Sequence, residues 1–126
     1  MKLLLDTHIL LWYSRDTLPE KALALTQNLA NELFFSPAST WEIVTKYKLG
    51  RPDFQVNPKE LHKRLLNDVC TEIPLTARHM LGIGKLPSIH KDPFDRMLLA
   101  QAIAEGCHLL TSDSTLATYP GPIISV

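Results

Sequence analysis

The sequence predicts an α/β protein: a three-layer α/β/α sandwich around a central, mostly parallel sheet of about five strands. Three observations carry this. Leu3-Leu4-Leu5, Leu33-Phe34-Phe35 and the run from His108 to Thr111 are short and largely apolar, without regular polar alternation, as expected of strands buried on both faces. Segments with helical apolar spacing lie between them, so strand and helix alternate. The composition, 45% hydrophobic and 21% charged, is that of a globular protein, and 126 residues suit one domain, 1–126, with a single core.

Taken in order, residues 2–5 are a buried strand and residues 7–14 a short helix burying Ile9, Leu10 and Trp12. Pro19 to Asn31 reads as a helix with Pro near its first turn and an apolar stripe of Ala22, Leu25 and Leu29. Leu33-Phe34-Phe35 is the second strand. Ser36 then serves as N-cap and Pro37 as first residue of a helix that stops at Gly50. Pro58 to Val69 is a helix with Leu61, Leu65, Leu66 and Val69 inward, Thr71-Glu72-Ile73 a short strand, and Thr76 the cap of a helix reaching about Gly84. A polar loop, Pro87 to Lys91, precedes a helix from Pro93 to Glu105 that Gly106 terminates. His108 to Thr111 is the fourth strand. Ile123 to Val126 is the fifth, at an edge because Pro120 and Pro122 interrupt its approach.

Composition narrows the function classes. No apolar run approaches the roughly 20 residues of a membrane span, and a charge at Asp6 interrupts the apolar start, so the expected N-terminus is a mature, cytoplasmic one. Cys70 and Cys107 lack motif spacing and read as free thiols. Thirteen basic and thirteen acidic residues give zero net charge, unlike a general nucleic-acid coating protein. Between Lys46 and Arg96, however, ten Lys/Arg face six Asp/Glu. That is either a basic rim suited to a phosphodiester or a set of ordinary solvated helix faces. The histidines lack zinc spacing, although His90 stands close to Asp92. Glycines are too scattered for a phosphate loop, and no serine has a nucleophile elbow.

Four acids remain. Asp6 comes directly after the first strand and Asp113 after the fourth; Asp95 lies in the first turn of its helix, and Glu42 one turn inside another. In an open α/β sheet the carboxyl ends of strands and the starts of the succeeding helices share one crevice. Carboxylates gathered there repel by about 4 kcal/mol per pair at 4 Å and an effective dielectric of 20, so a cation would hold them together, and an all-oxygen set favours Mg²⁺ or Mn²⁺. Taken singly, the acids have a plainer reading. Asp92-Pro93-Phe94-Asp95 has the form of an N-cap and a first helical turn, and Asp6 and Asp113 can cap the segments after them. Glu42 lies beyond capping range beside Ile43 and Val44, so it needs a partner.

Leu4-Leu5-Asp6-Thr7-His8, the segment Ser36 to Ile43 with Trp41-Glu42, the segment His90 to Ala102 with Asp92-Pro93-Phe94-Asp95-Arg96, and Leu110-Thr111-Ser112-Asp113 together resemble the PIN-domain family. Within it they are most similar to VapC-type toxins of bacterial toxin–antitoxin pairs, across essentially the whole chain. The resemblance implies a nuclease cutting single-stranded or looped RNA with Mg²⁺ or Mn²⁺. It implies that Asp6, Glu42, Asp95 and Asp113 organise the metal, with Asp92 as accessory acid and Thr111 or Ser112 supplying a hydroxyl. It also implies a homodimer and a cognate antitoxin whose C-terminal segment blocks the crevice. In the mechanism expected, an attacking water is activated by the metal and oriented by Glu42, while Lys91 and Arg96 steady the flanking phosphates. Arg96 could instead pair with a nearby acid. Aspartyl phosphotransfer is disfavoured: His8 stands where a dehalogenase-type enzyme needs a second Asp, and Lys91, the last lysine, precedes the penultimate strand. The other class of reading is a non-catalytic PIN-like module binding RNA or protein.

Overall fold

Side-chain alternation along the two central strands divides the apolar residues between two cores. The computed structural model describes residues 1–89 and 91–126. Its elements are β1 (Lys2–Leu5), α1 (Thr7–Ser14), α2 (Glu20–Gln27), β2 (Glu32–Phe35), α3 (Pro37–Lys48), α4 (Pro58–Asn67), β3 (Thr71–Glu72), α5 (Ala77–Ile83), α6 (Pro93–Glu105), β4 (His108–Thr111) and β5 (Ile123–Ser125). Single 3₁₀ turns at Pro52–Phe54 and Leu116–Thr118 complete them. Leu3, Leu5 and Leu110 point into a core closed by Ile9 and Leu10 of α1, Ile43 of α3 and Leu61 and Leu65 of α4. Leu4 and Leu109 point the other way, onto Met97, Leu98, Leu99 and Ala102 of α6, with Ile83 of α5 at the margin. This is the expected three-layer sandwich.

The sheet order is β3-β2-β1-β4-β5 with every strand pair parallel. β5 is at an edge, as its prolines imply. From β1 the chain winds toward β2 and β3 on one side, while β4 and β5 lie on the other. The crevice over the carboxyl ends of β1 and β4 is therefore the topological switch point, where ligands bind in open α/β sheets. Asp6 and Asp113 stand at those two strand ends.

Helix starts obey their sequence signals. Ser36 Oγ accepts from the Ala38 N–H at 3.1 Å with Pro37 next in line. Thr76 forms a capping box in which His79, buried, replaces the usual acid. Two helix ends and one buried face differ from expectation. α2 stops at Gln27, because the Asn31 side chain donates to the Leu25 carbonyl at 2.9 Å and Asn28 Oδ1 accepts from the Ala30 N–H. Leu29 consequently leaves the stripe and is fully exposed. α4 ends in a Schellman turn: Cys70 N–H donates to the Leu65 carbonyl and Val69 N–H to that of Leu66, with Val69 at φ 60°. That left-handed step turns Val69 out to 82% exposure and leaves Leu66 half exposed, against the inward positions expected. In α1, Leu11 rather than Trp12 joins Ile9 and Leu10 in the buried set.

Cys70 and Cys107 are free and buried. Among the described residues no helix is long and apolar enough to cross a membrane.

Candidate functional site

Asp6 ends β1 and caps α1, its Oδ1 accepting from the Ile9 N–H at 2.9 Å. Its Oδ2 accepts from the Thr111 hydroxyl at the end of β4. Thr111 Oγ1 in turn accepts from the Asp113 N–H at 3.0 Å. One hydroxyl thus ties two strand ends together across the switch point. Asp6 is 3% exposed, and burial pushes its carboxyl up to about 6, against the opposing pull of the hydrogen bonds from Thr111 and Ile9 and of His8. The charge of Asp113 pushes the same way as burial. Asp113 also caps the next 3₁₀ turn, with Oδ1 accepting from Thr115 and Leu116 N–H at 2.8 and 3.1 Å. Ser112, between the two, is half-buried. Beside Asp6, the Thr7 hydroxyl donates to Ser39 Oγ at 3.0 Å, joining α1 to α3 inside the protein.

Glu42 is buried in α3, one position from exposed Trp41 and so on a different face from it. The partner it requires is Lys46, one helical turn on, whose Nζ lies 2.5 Å from Oε2. Oε1 is buried and has no hydrogen-bond partner among the described residues. Lys46 Nζ also sits 5.7 Å from the Phe94 ring centre, and Trp41 meets Phe94 edge-on at 5.0 Å. α3 is thereby locked to the first turn of α6. There Asp92 is the N-cap, accepting from the Phe94 and Asp95 N–H groups at 2.9 and 3.3 Å, and Asp95 is third residue of the helix.

The capping roles of Asp6, Asp92 and Asp113 are thus realised, and of the four principal acids the structure brings Asp6 and Asp113 together. Arg96 is used inside the fold: its guanidinium donates to the Pro87 and Ile83 carbonyls at 3.1 and 3.3 Å and to the Tyr119 hydroxyl at 3.2 Å. Lys91 is exposed. His90 lies outside the described residues. Lys46 is the neighbour of the acids that the sequence motifs do not include; its signal in the chain is the i, i+4 spacing from Glu42.

Among the described residues no group of three or more His, Cys, Asp or Glu side chains is arranged to hold a metal ion. Within the expected set of Asp6, Glu42, Asp95 and Asp113, Asp6 is linked through Thr111 to Asp113, and Glu42 is held by Lys46. The chemistry of the residues nevertheless fits a hard divalent cation. All candidate donors are oxygens, one of them, Glu42 Oε1, is buried without a partner, and Asp6 is held back from ionising where Asp113 already repels it. Each of these states is relieved by added positive charge.

A parallel α/β sheet with Asp6 and Asp113 at its switch point has its acids where open α/β sheets bind ligands. The PIN-domain family profile matches residues 3–122, and the chain belongs to that family. Its backbone is similar to VapBC2 from Rickettsia felis bound to a DNA fragment from their promoter, with TM-score 0.73 and 18% identity over 99% of this chain and 98% of that one. It is also similar to VapBC-1 from nontypeable Haemophilus influenzae, at TM-score 0.66 and 16% identity over 99% and 98%. A toxin–antitoxin complex from Klebsiella pneumoniae gives TM-score 0.63 and 19% identity over 98% and 96%. At such identities the likeness is one of fold. No curated protein matches the chain by sequence.

Proposed function

We propose that this chain is a single-domain, divalent-metal-dependent endoribonuclease and the toxin of a VapC-type toxin–antitoxin pair. The observation that carries the nuclease reading is the buried link Asp6–Thr111–Asp113 across the switch point, supported by the buried Glu42 oxygen without a hydrogen-bond partner among the described residues. Asp6, Asp95 and Asp113, with Glu42, would hold Mg²⁺ or Mn²⁺. When bound, such an ion supplies Lewis acidity that lowers the pKa of an attacking water and neutralises charge on the phosphate. The chain's own contribution is positional. Thr111 fixes the rotamer of Asp6, the α1 and α6 caps aim Asp6 and Asp92, and Lys46 holds Glu42 at the wall of α3. The toxin reading is supported by the toxin–antitoxin complexes of similar fold. It carries with it a homodimer, an antitoxin whose tail enters the acidic crevice, and a cytoplasmic site of action.

The second reading, a PIN-like binding module without catalysis, is favoured by the fact that three of the acids also serve as caps. Incubating purified protein with single-stranded and stem-loop RNA decides between the two. Cleavage in Mg²⁺ or Mn²⁺ that EDTA abolishes, and that Asp6→Asn and Asp95→Asn lack, is the expected result. Cleavage unaffected by EDTA overturns the metal mechanism. Wild-type binding without cleavage under every metal condition establishes the module instead. For the toxin role, strong expression without a partner should arrest growth.

A further inference from the structure

Trp41 is a large apolar side chain left 59% exposed immediately beside buried Glu42. Its ring is not loose, because Phe94 meets it edge-on at 5.0 Å and 73°. The side chain before Asp95 thus braces the indole while its outer surface faces solvent. Helical spacing carries the same side of α3 away from the acids: positions 41, 44/45 and 48 fall on one stripe, and 41 to 48 spans roughly 10 Å at 1.5 Å per residue. Val44 and Lys48 of that stripe, with Tyr47 to one side of it, line a groove of about 390 Å³, whose far wall includes Lys59 of α4. Tyr47 is 42% exposed, and Lys48 and Lys59 are exposed. None of Tyr47, Lys48 and Lys59 takes part in a salt bridge among the described residues. Lys46, by contrast, is consumed by Glu42.

An aromatic ring at the edge of the acids, with a second aromatic and two lysines beyond it on a groove, combines the two elements that bind single-stranded nucleic acid: stacking platforms and a cationic track. We infer that the exposed face of α3 is the single-stranded RNA track of this protein, with a nucleobase flanking the scissile phosphate stacked on Trp41 and the next phosphates held by Lys48 and Lys59. The inference rests on the proposed nuclease activity and adds to it the residues that take up the strand. Because stacking is sequence-tolerant, Trp41 contributes affinity and register more than base choice. A surface for a second protein chain would be expected to be apolar at its centre, whereas this face passes from Trp41 into a groove edged by Lys48 and Lys59.

The test uses a fluorescein-labelled, non-cleavable 2′-O-methyl oligonucleotide and the cleavable RNA of the same sequence. Trp41→Leu should weaken binding, read by anisotropy, roughly 5- to 100-fold, and in cleavage the loss should fall on KM rather than kcat. Trp41→Phe should restore most of the affinity. Unlabelled oligonucleotide should quench tryptophan emission in wild type, and the quench should vanish in Trp41→Phe, although the strand still binds. Lys48→Gln with Lys59→Gln should make the affinity less salt-dependent. Wild-type cleavage with an unchanged KM in Trp41→Leu overturns this inference alone. So does a Trp41→Leu protein that changes mass in light scattering while its affinity for the oligonucleotide stays put, which would make Trp41 a contact between copies. Wild-type protein that neither binds nor cleaves the RNA removes the nuclease activity as well.

Discussion

Asp6→Asn separates the charge of the candidate site from its geometry. Asn keeps an oxygen for the Ile9 N–H, so the α1 cap survives. The charge disappears from a position 3% exposed, where burial has moved the carboxyl from 3.8 to about 6. At about 1.4 kcal/mol per tenfold change in proton affinity, an ionised Asp6 costs the metal-free folded state about 3 kcal/mol. The Asn amide replaces the acceptor that Thr111 uses, a loss of about 1 kcal/mol. In EDTA at pH 7.5 the variant should therefore be about 2 kcal/mol more stable, a rise in Tm of roughly 8 °C for a domain of this size. The pH dependence takes its sign from the folded protein binding its proton more tightly than the unfolded chain. The penalty on wild type is absent below about pH 4, grows between about 4 and 6, and is complete above. The advantage of Asp6→Asn should shrink accordingly on acidification. Added Mg²⁺ should stabilise wild type, by about 2.7 kcal/mol at a hundredfold excess over Kd, and the variant less. Urea melts at pH 4, 5, 6 and 7.5, with and without Mg²⁺, measure all of this. A variant less stable than wild type at pH 7.5 in EDTA, or a difference that ignores pH, would refute the reasoning.

Lys46→Met leaves the buried Glu42 carboxylate without its partner and should destabilise by about 3 kcal/mol in urea melts, with Glu42→Gln in the same chain recovering most of the loss. Val69→Gly removes a β-branched residue from φ 60° at an exposed turn and should stabilise by about 1 kcal/mol; an unchanged or lowered Tm would show that the turn is unstrained. Glu105 is held below its ordinary 4.5 chiefly by the hydrogen bond with His79, opposed by desolvation. The tie between α5 and α6 should therefore be intact above pH 4.5 and weaken as pH falls through the lowered value. A loss of exchange protection in α5 on acidification below pH 4.5 in wild type but not in Glu105→Gln is the expected outcome.

Which features the sequence determined by itself depends on how far along the chain each signal acts. The apolar run Leu3-Leu4-Leu5, the Ser36-Pro37 start of α3, the Asp92-Pro93 start of α6 and its stop at Gly106 all act within a few residues. Capping bonds and left-handed C-caps are local, and strand burial shows as missing alternation. The positions of Asp6 and Asp113 at strand ends were legible on the same grounds. Tertiary structure decided what required knowing neighbours. Thr111 reaches Asp6 across 105 residues only because β4 pairs with β1, and periodicity carries no strand order. The guanidinium of Arg96 donates to the Pro87 carbonyl of the preceding loop, the Ile83 carbonyl at the end of α5 and the Tyr119 hydroxyl, which no spacing rule anticipates. Val69 escaped the apolar stripe because the chain closed a Schellman turn with a residue that ordinarily avoids it. The exposed Trp41 beside buried Glu42 belongs to the same group: a helix has an inside only once its neighbours are in place, and here Glu42 turned inward while the indole stayed at the rim, braced by Phe94 of α6.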